Sequence, residues 1–182
     1  MSKLFAASLI SIAMTAAAIP LSGAMAGNHG HAKHHTTVVS AAAASADHTT
    51  LVAAVKAAGL VDTLNSKGPF TVFAPTNAAF AKLPAGTVES LLQPANLGML
   101  RTVLTYHVVP GSYDAATIVG AIKAGGGKAT LKTVQGEVLT ATLEGGKVIV
   151  TDKRGGTATV TAADLRQSNG IIHVTDAVSL PG

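Results

Sequence analysis

Apolar and polar positions change their period along the chain. From Asp47 onward the pattern is helical: Leu51, Val55 and Ala58 share one face, with Asp47 as the predicted N-cap and Gly59 as the residue just past the end. Phe70 to Phe73 is then a short aromatic and β-branched run held between Gly68-Pro69 and Pro75, the pattern of a core strand between turns. Ala74 precedes a proline and is biased to extended geometry, and Thr76 or Asn77 caps a helix carrying Phe80. Thr87 is predicted to cap a short helix bearing Val88, Leu91 and Leu92 that Pro94 ends. A further helix with the stripe Leu97, Leu100, Val103 and Leu104 leads through Tyr106-His107 into a strand at Val108-Val109. Asp114 caps one more, with Ala115, Ile118, Val119 and Ile122 on its apolar side.

Beyond Gly125-Gly-Gly127 the period becomes two. Ala129 to Thr133, Glu137 to Leu143, Lys147 to Asp152 and Thr157 to Thr161 alternate or run apolar, with glycines between them, and read as antiparallel strands joined by tight turns. Ala163-Asp164-Leu165 leaves the last of these, Asn169-Gly170 turns the chain, and Ile171 to Val178 is a final strand. Helices cluster early and strands late, which predicts an α+β domain rather than a doubly wound one.

The first residues follow a different logic. Lys3 precedes an apolar stretch from Leu4 to Leu21, and Ala24-Met25-Ala26 is a small-x-small cleavage site, so residues 1–26 are predicted to be a signal peptide. Residues 27–46, rich in histidine, are predicted to be a flexible leader, and 47–182 the folded domain. No later stretch is long and apolar enough to cross a bilayer, so the expectation is a secreted or periplasmic protein without a transmembrane segment after processing.

Composition narrows the chemistry. The chain has 182 residues and no cysteine, which removes disulfides, thiolate nucleophiles and thiolate metal sites. Thirteen Lys and Arg against nine Asp and Glu, spread along the chain, give no clustered basic footprint for nucleic acid. There is no Gly-x-Ser-x-Gly elbow and no His-Glu-x-x-His pair, and Gly125-Gly-Gly127 before Lys128 lacks the ending of a phosphate-binding loop, so no enzyme is expected. His107, between an aromatic residue and two valines, reads as a buried histidine with structural partners. His173 reads as a sheet-packing or rim one, with Asp176 either its polar neighbour or the cap of a turn. Cleavage after Ala26 would begin the mature chain Gly27-Asn28-His29, an amine, two amides and an imidazole able to wrap Cu(II) or Ni(II), with His31, His34 and His35 as further donors. No other cofactor is expected.

Three segments carry a resemblance. Thr71-Val-Phe-Ala-Pro-Thr-Asn-Ala-Ala-Phe80, Tyr106-His107-Val-Val-Pro-Gly111 and Asn169-Gly-Ile-Ile-His-Val-Thr-Asp-Ala-Val-Ser-Leu-Pro181 resemble, in order and spacing, the two homology blocks and the tyrosine-histidine motif of fasciclin-type (FAS1) domains, here in a bacterial secreted single-domain form. The resemblance spans Asp47 to Pro181 and implies a β-wedge sheet flanked by helices, with the two blocks as neighbouring central strands. It also implies a non-enzymatic cell-adhesion or protein-interaction module whose partner is a cell-surface or matrix protein or glycan. Some animal members bind integrins through an Asp-Ile pair just before the second block and through the tyrosine-histidine motif. The corresponding positions here are Asp164 with Leu165, and Tyr106 with His107. The resemblance also permits, as the alternative, an apolar small molecule, a lipid or carotenoid, between helices and sheet.

Overall fold

The computed structural model describes residues 36–182, and within them the layout turns on the strand Phe70–Pro75, β1. Its side chains alternate between two cores. Val72 and Ala74 face a cluster built from the early helices, whereas Phe73 faces a cluster built from the late strands. A strand buried on both faces has no room for polar alternation, which is why this segment reads as a nearly continuous apolar run, its one polar side chain, Thr71, buried with its hydroxyl donating to Gly111 O.

The helices are α1 (Val38–Ala43), α2 (Thr49–Ala57), α3 (Val61–Asn65), α4 (Asn77–Ala81), α5 (Thr87–Leu92), α6 (Leu97–Tyr106) and α7 (Ala115–Ala124). The remaining strands are β2 (Val108–Pro110), β3 (Lys128–Lys132), β4 (Val138–Glu144), β5 (Lys147–Thr151), β6 (Thr157–Gln167) and β7 (Gly170–Thr175). They form a seven-stranded sheet in the order β2-β1-β7-β6-β5-β4-β3. Only β1 and β7 run parallel; the other neighbours are antiparallel. Strand β6 belongs to both halves, since Thr157 to Thr159 pair with β5 while Val160 to Gln167 pair with β7. The result is a wedge flanked by helices, the α+β class expected, with the two homology blocks side by side at its centre.

The centre is tight where β1 and β7 begin. A Cβ at Gly170 would press on the backbone oxygen of Phe70, and one at Gly68 on that of Asn169. Backbone cannot yield as a flexible side chain can, so Gly170→Ala is expected to cost about 2 kcal/mol in urea unfolding. A stability equal to wild type would show that the strands can part without loss.

Four local expectations change. Residues 38–43, placed in the leader from their lack of an apolar period, form α1: Thr37 Oγ1 accepts from Ser40 N, and Val38 is buried. Asp47 does not cap α2. Ser45 caps the short 3-10 turn Ala46–His48 instead, and the Thr50 N–H at the start of α2 donates to Asn77 Oδ1 at 3.0 Å, a cap lent from 27 residues away. Gly86, with φ of 81°, takes the N-cap position of α5 that Thr87 was expected to hold. Strand β6 does not end at Thr161 but continues to Gln167 through register shifts between Val160, Ala162 and Leu165, which break the two-residue period. Thr76 accepts from Ala79 N and Asp114 from Thr117 N, as expected of the caps of α4 and α7. The stretch predicted to be a signal peptide and the expected copper or nickel ligands His29, His31, His34 and His35 lie outside the described residues.

Candidate functional site

The segment at the end of α6 is anchored inward. Leu100 and Leu104 bury one side of the helix in the core under the early helices, while Tyr106, 0% exposed, points into the core of the late strands. Its hydroxyl donates to Val138 O at 3.1 Å and accepts from Lys153 N at 3.2 Å, so one phenol ties the helix end to β4 and to the turn after β5. Burial pushes this phenol above its ordinary pKa, against the pull of the Lys153 N–H.

His107 follows as the C-cap of α6 and is equally enclosed. Its Nδ1 lies 2.8 Å from Val103 O and must donate, since a carbonyl can only accept. Nε2 is then bare and accepts from Ser179 N at 3.0 Å. Only the neutral ring satisfies both partners. Burial holds its pKa below the usual histidine value, outweighing the Val103 hydrogen bond and the Asp152 carboxylate, which act the other way.

Asp164 and Leu165 sit on the irregular stretch of β6 and face outward. Asp164 has φ of 60°, the one non-glycine positive φ among the described residues. Its Oδ1 accepts from Ala115 N, the first amide of α7, at 2.7 Å. Aspartate tolerates the left-handed region, and a carboxylate against the positive end of a helix is favourable, so the two features support each other. Next to it Asp114 Oδ2 pairs with Arg166 at 2.8 Å. The Asp114 hydrogen bonds with Thr117, followed by the Arg166 charge, hold that carboxyl below the usual range. Leu165 is 43% exposed, as Val138 of β4 also is.

The two loci do not touch, but a continuous line of contacts joins them across the sheet. Phe73 N donates to His107 O at 2.9 Å, the Phe73 ring stacks on His173 with centroids 5.6 Å apart, and Asp164 N donates to His173 Nδ1 at 3.4 Å. His173 Nε2 donates to Tyr113 O at 2.7 Å, fixing its tautomer. The sequence gives His173 as sheet packing, which holds, but with Asp164 and Tyr113 as its partners; Asp176 instead accepts from Thr159 N. Asp114, Arg166 and His173 are thus parts of the Asp164 locus that strand period alone does not reveal.

The apolar cleft under α1 and α2, lined by Val38, Val55, Val72 and Leu104, has about 30 Å³ of free space. Cavities that hold drug-sized ligands run to roughly 300 Å³ and more, so a lipid or carotenoid there requires the helices to part. A larger, open polar groove of about 520 Å³ runs beside Arg166, with Thr37, Lys67, Ser112 and Ser168 along it. No helix among the described residues is long and apolar enough to cross a membrane.

The sequence pattern described as "Fasciclin domain" matches residues 46–181. Protein sll1483 of Synechocystis sp. is 54% identical over 145 residues, covering 80% of this chain and 73% of that protein. The Immunogenic protein MPB70 of Mycobacterium bovis is 40% identical over 149 residues, 79% of this chain and 68% of that one. Transforming growth factor-beta-induced protein ig-h3 of Sus scrofa is 38% identical over 131 residues, 72% of this chain but 17% of that much longer one. Among solved structures, a FAS1 domain pair from the insect cell adhesion molecule Fasciclin I superposes with a TM-score of 0.54 at 24% identity, over 69% of this chain and 42% of that one.

Proposed function

This chain belongs to the fasciclin domain family, and from that premise we propose that it is an exported, non-enzymatic adhesion or protein-interaction module. The observation that carries the reading is the exposed Asp164-Leu165-Arg166 segment, held rigid by the amide of Ala115, the ring of His173 and the carboxylate of Asp114. A preorganised acid, an exposed aliphatic side chain and a cation in three successive residues suit recognition of a partner surface, because little ordering entropy remains to be lost on binding. Tyr106 and His107 serve this face by fixing the strands behind it rather than by contact. Both ring nitrogens of His107 and His173 are occupied by backbone groups, so neither is free to act as a general base. The partner is a cell-surface or matrix protein or glycan, and the polar groove beside Arg166 extends the surface available to it.

Attachment of cells or envelope material to surfaces coated with the protein tests this. Asp164→Asn keeps an acceptor for Ala115 N and a residue tolerant of positive φ while removing the charge, and Leu165→Ser removes the aliphatic contact. Each is expected to lower attachment roughly tenfold, the scale of about 1.4 kcal/mol, with unfolding unchanged within error. Attachment that survives both substitutions would assign the contact to another face.

A further inference from the structure

The walls of the open groove beside Arg166 come from four separate stretches of chain: Thr37 before α1, residues 65–69 between α3 and β1, Ser112 after β2, and the turn from β6 into β7. One side chain knits three of them together. Asn169 Oδ1 accepts from Val38 N at 3.0 Å, and Nδ2 donates to Leu64 O at 2.7 Å and to Ser66 O at 3.1 Å. Thr37 Oγ1 donates to Asn65 Oδ1 at 2.6 Å, and Phe70 N donates to Asn169 O at 3.1 Å. Walls tied in this way are already in place before a ligand arrives, so little ordering has to be done on binding.

The lining is polar without being acidic. No Asp or Glu lines the groove, while Lys67 and Arg166 both do. Lys67 has no ion pair among the described residues, and Arg166 gives only Nη2 to Asp114, which leaves the other donors of its fork open. Ser112 and Gln167 add a hydroxyl and an amide that no side-chain hydrogen bond occupies among the described residues, and Pro69 adds an exposed apolar ring. The free space of about 520 Å³ lies within the range of sites that take a ligand of several rings.

We propose that this groove binds an acidic polysaccharide of the uronic-acid type, its carboxylates held by Lys67 and Arg166, its hydroxyls by Ser112 and Gln167, and the C–H face of a ring against Pro69. The inference rests on the adhesion reading and gives the partner a chemical class. The Arg166 fork matches the geometry of a carboxylate. Two cations set among neutral hydrogen-bonding groups match a polymer with one carboxylate and several hydroxyls on each ring. A densely sulfated or phosphorylated chain calls for a cluster of Lys and Arg, which the groove does not have. An acidic peptide would bring carboxylates without the array of hydroxyls that the serine and amide groups can meet.

The test is titration of the isotope-labelled full-length chain with trigalacturonate, followed through the backbone amides by NMR at low and high salt. Saturable shifts are expected at Lys67, Ser112 and Gln167, with affinity falling as salt rises. The methyl ester of the same trisaccharide keeps most hydroxyls and loses the charge, and is expected to bind more weakly by roughly tenfold. Lys67→Gln and Arg166→Gln should each weaken trigalacturonate by roughly fivefold, the scale of one exposed charge contact, and leave the ester unchanged. Lys128→Gln, on β3 and outside the groove, should change neither. Equal affinity for acid and ester, shifts that do not saturate, or indifference to both groove substitutions would overturn the site. So would a hexaglutamate peptide that binds as tightly as trigalacturonate, since the groove would then be a general anion patch. The two readings fail separately. If trigalacturonate does not bind while attachment still falls with Asp164→Asn and Leu165→Ser, the groove assignment is wrong and adhesion stands. Binding that weakens with Lys67→Gln supports the groove even where attachment ignores Asp164 and Leu165.

Discussion

Replacing Tyr106 with alanine is expected to lower the unfolding free energy by about 4 kcal/mol, the range found when a large buried aromatic is truncated. The ring packs in the cluster that contains Phe73, Val109 and Ile118, at 0% exposure, so its removal leaves a cavity that α6 and the late strands would have to close around. The deletion also orphans Val138 O and Lys153 N, which the hydroxyl joins. For a domain whose whole stability is typically about 5–15 kcal/mol, one such change leaves little margin. Tyr106→Phe separates the two contributions: it keeps the ring and should cost about 1 kcal/mol. Urea unfolding of the three proteins measures this, and an alanine variant no less stable than the phenylalanine one would refute the packing argument.

Acidification is the second large effect, and His107 is its expected source. Burial lowers the folded-state pKa of this ring below the ordinary value of about 6.5 that it recovers on unfolding. Below that pH the unfolded chain takes up the proton first, so stability is complete above about pH 6.5. It then declines as the pH falls, by up to about 1.4 kcal/mol per unit, until the folded pKa is passed. The structural reason is direct: a protonated Nε2 could no longer accept from Ser179 N, and a charge would sit in the core. His107→Asn offers a donor and an acceptor without a titrating group. Its urea midpoint should change less between pH 7.5 and pH 5 than that of wild type. An unchanged acid slope would place the effect elsewhere.

What the sequence makes legible follows from how local each signal is. The apolar runs of β1 and β7 and the stripes of α6 and α7 announce themselves, because one buried face imposes a period on neighbouring residues. Burial of His107, next to Tyr106, could be read from its flanks. The anchoring roles of the two could not, since they depend on Val138, Lys153 and Ser179, far along the chain. The same distance hides the Asn77 cap on α2. Strand β6 was cut short for a different reason. Ala162-Ala163-Asp164 has no alternation, because a bulge places successive side chains without regard to the pleat, and only the pairing with β7 shows the strand continuing. The alanine-rich segment of α1 has too little contrast between its faces for any period to appear, yet Val38, with Val39 and Ala41 beside it, seats it on the core.

The position of β7 has a consequence in time. It is the last strand in the chain, yet it lies between β1 and β6 and joins the two halves of the wedge. Phe70 finds its parallel partner at Gly170, so the central pairing closes a loop of about 100 residues. Loop closure of that length must precede its reward, which makes folding slow and late. Until Gly170 to Thr175 are available, β1 and β6 are both bare edges and neither core is sealed. A nascent or threading chain therefore stays pliable until its final segment arrives, and commits to its shape all at once.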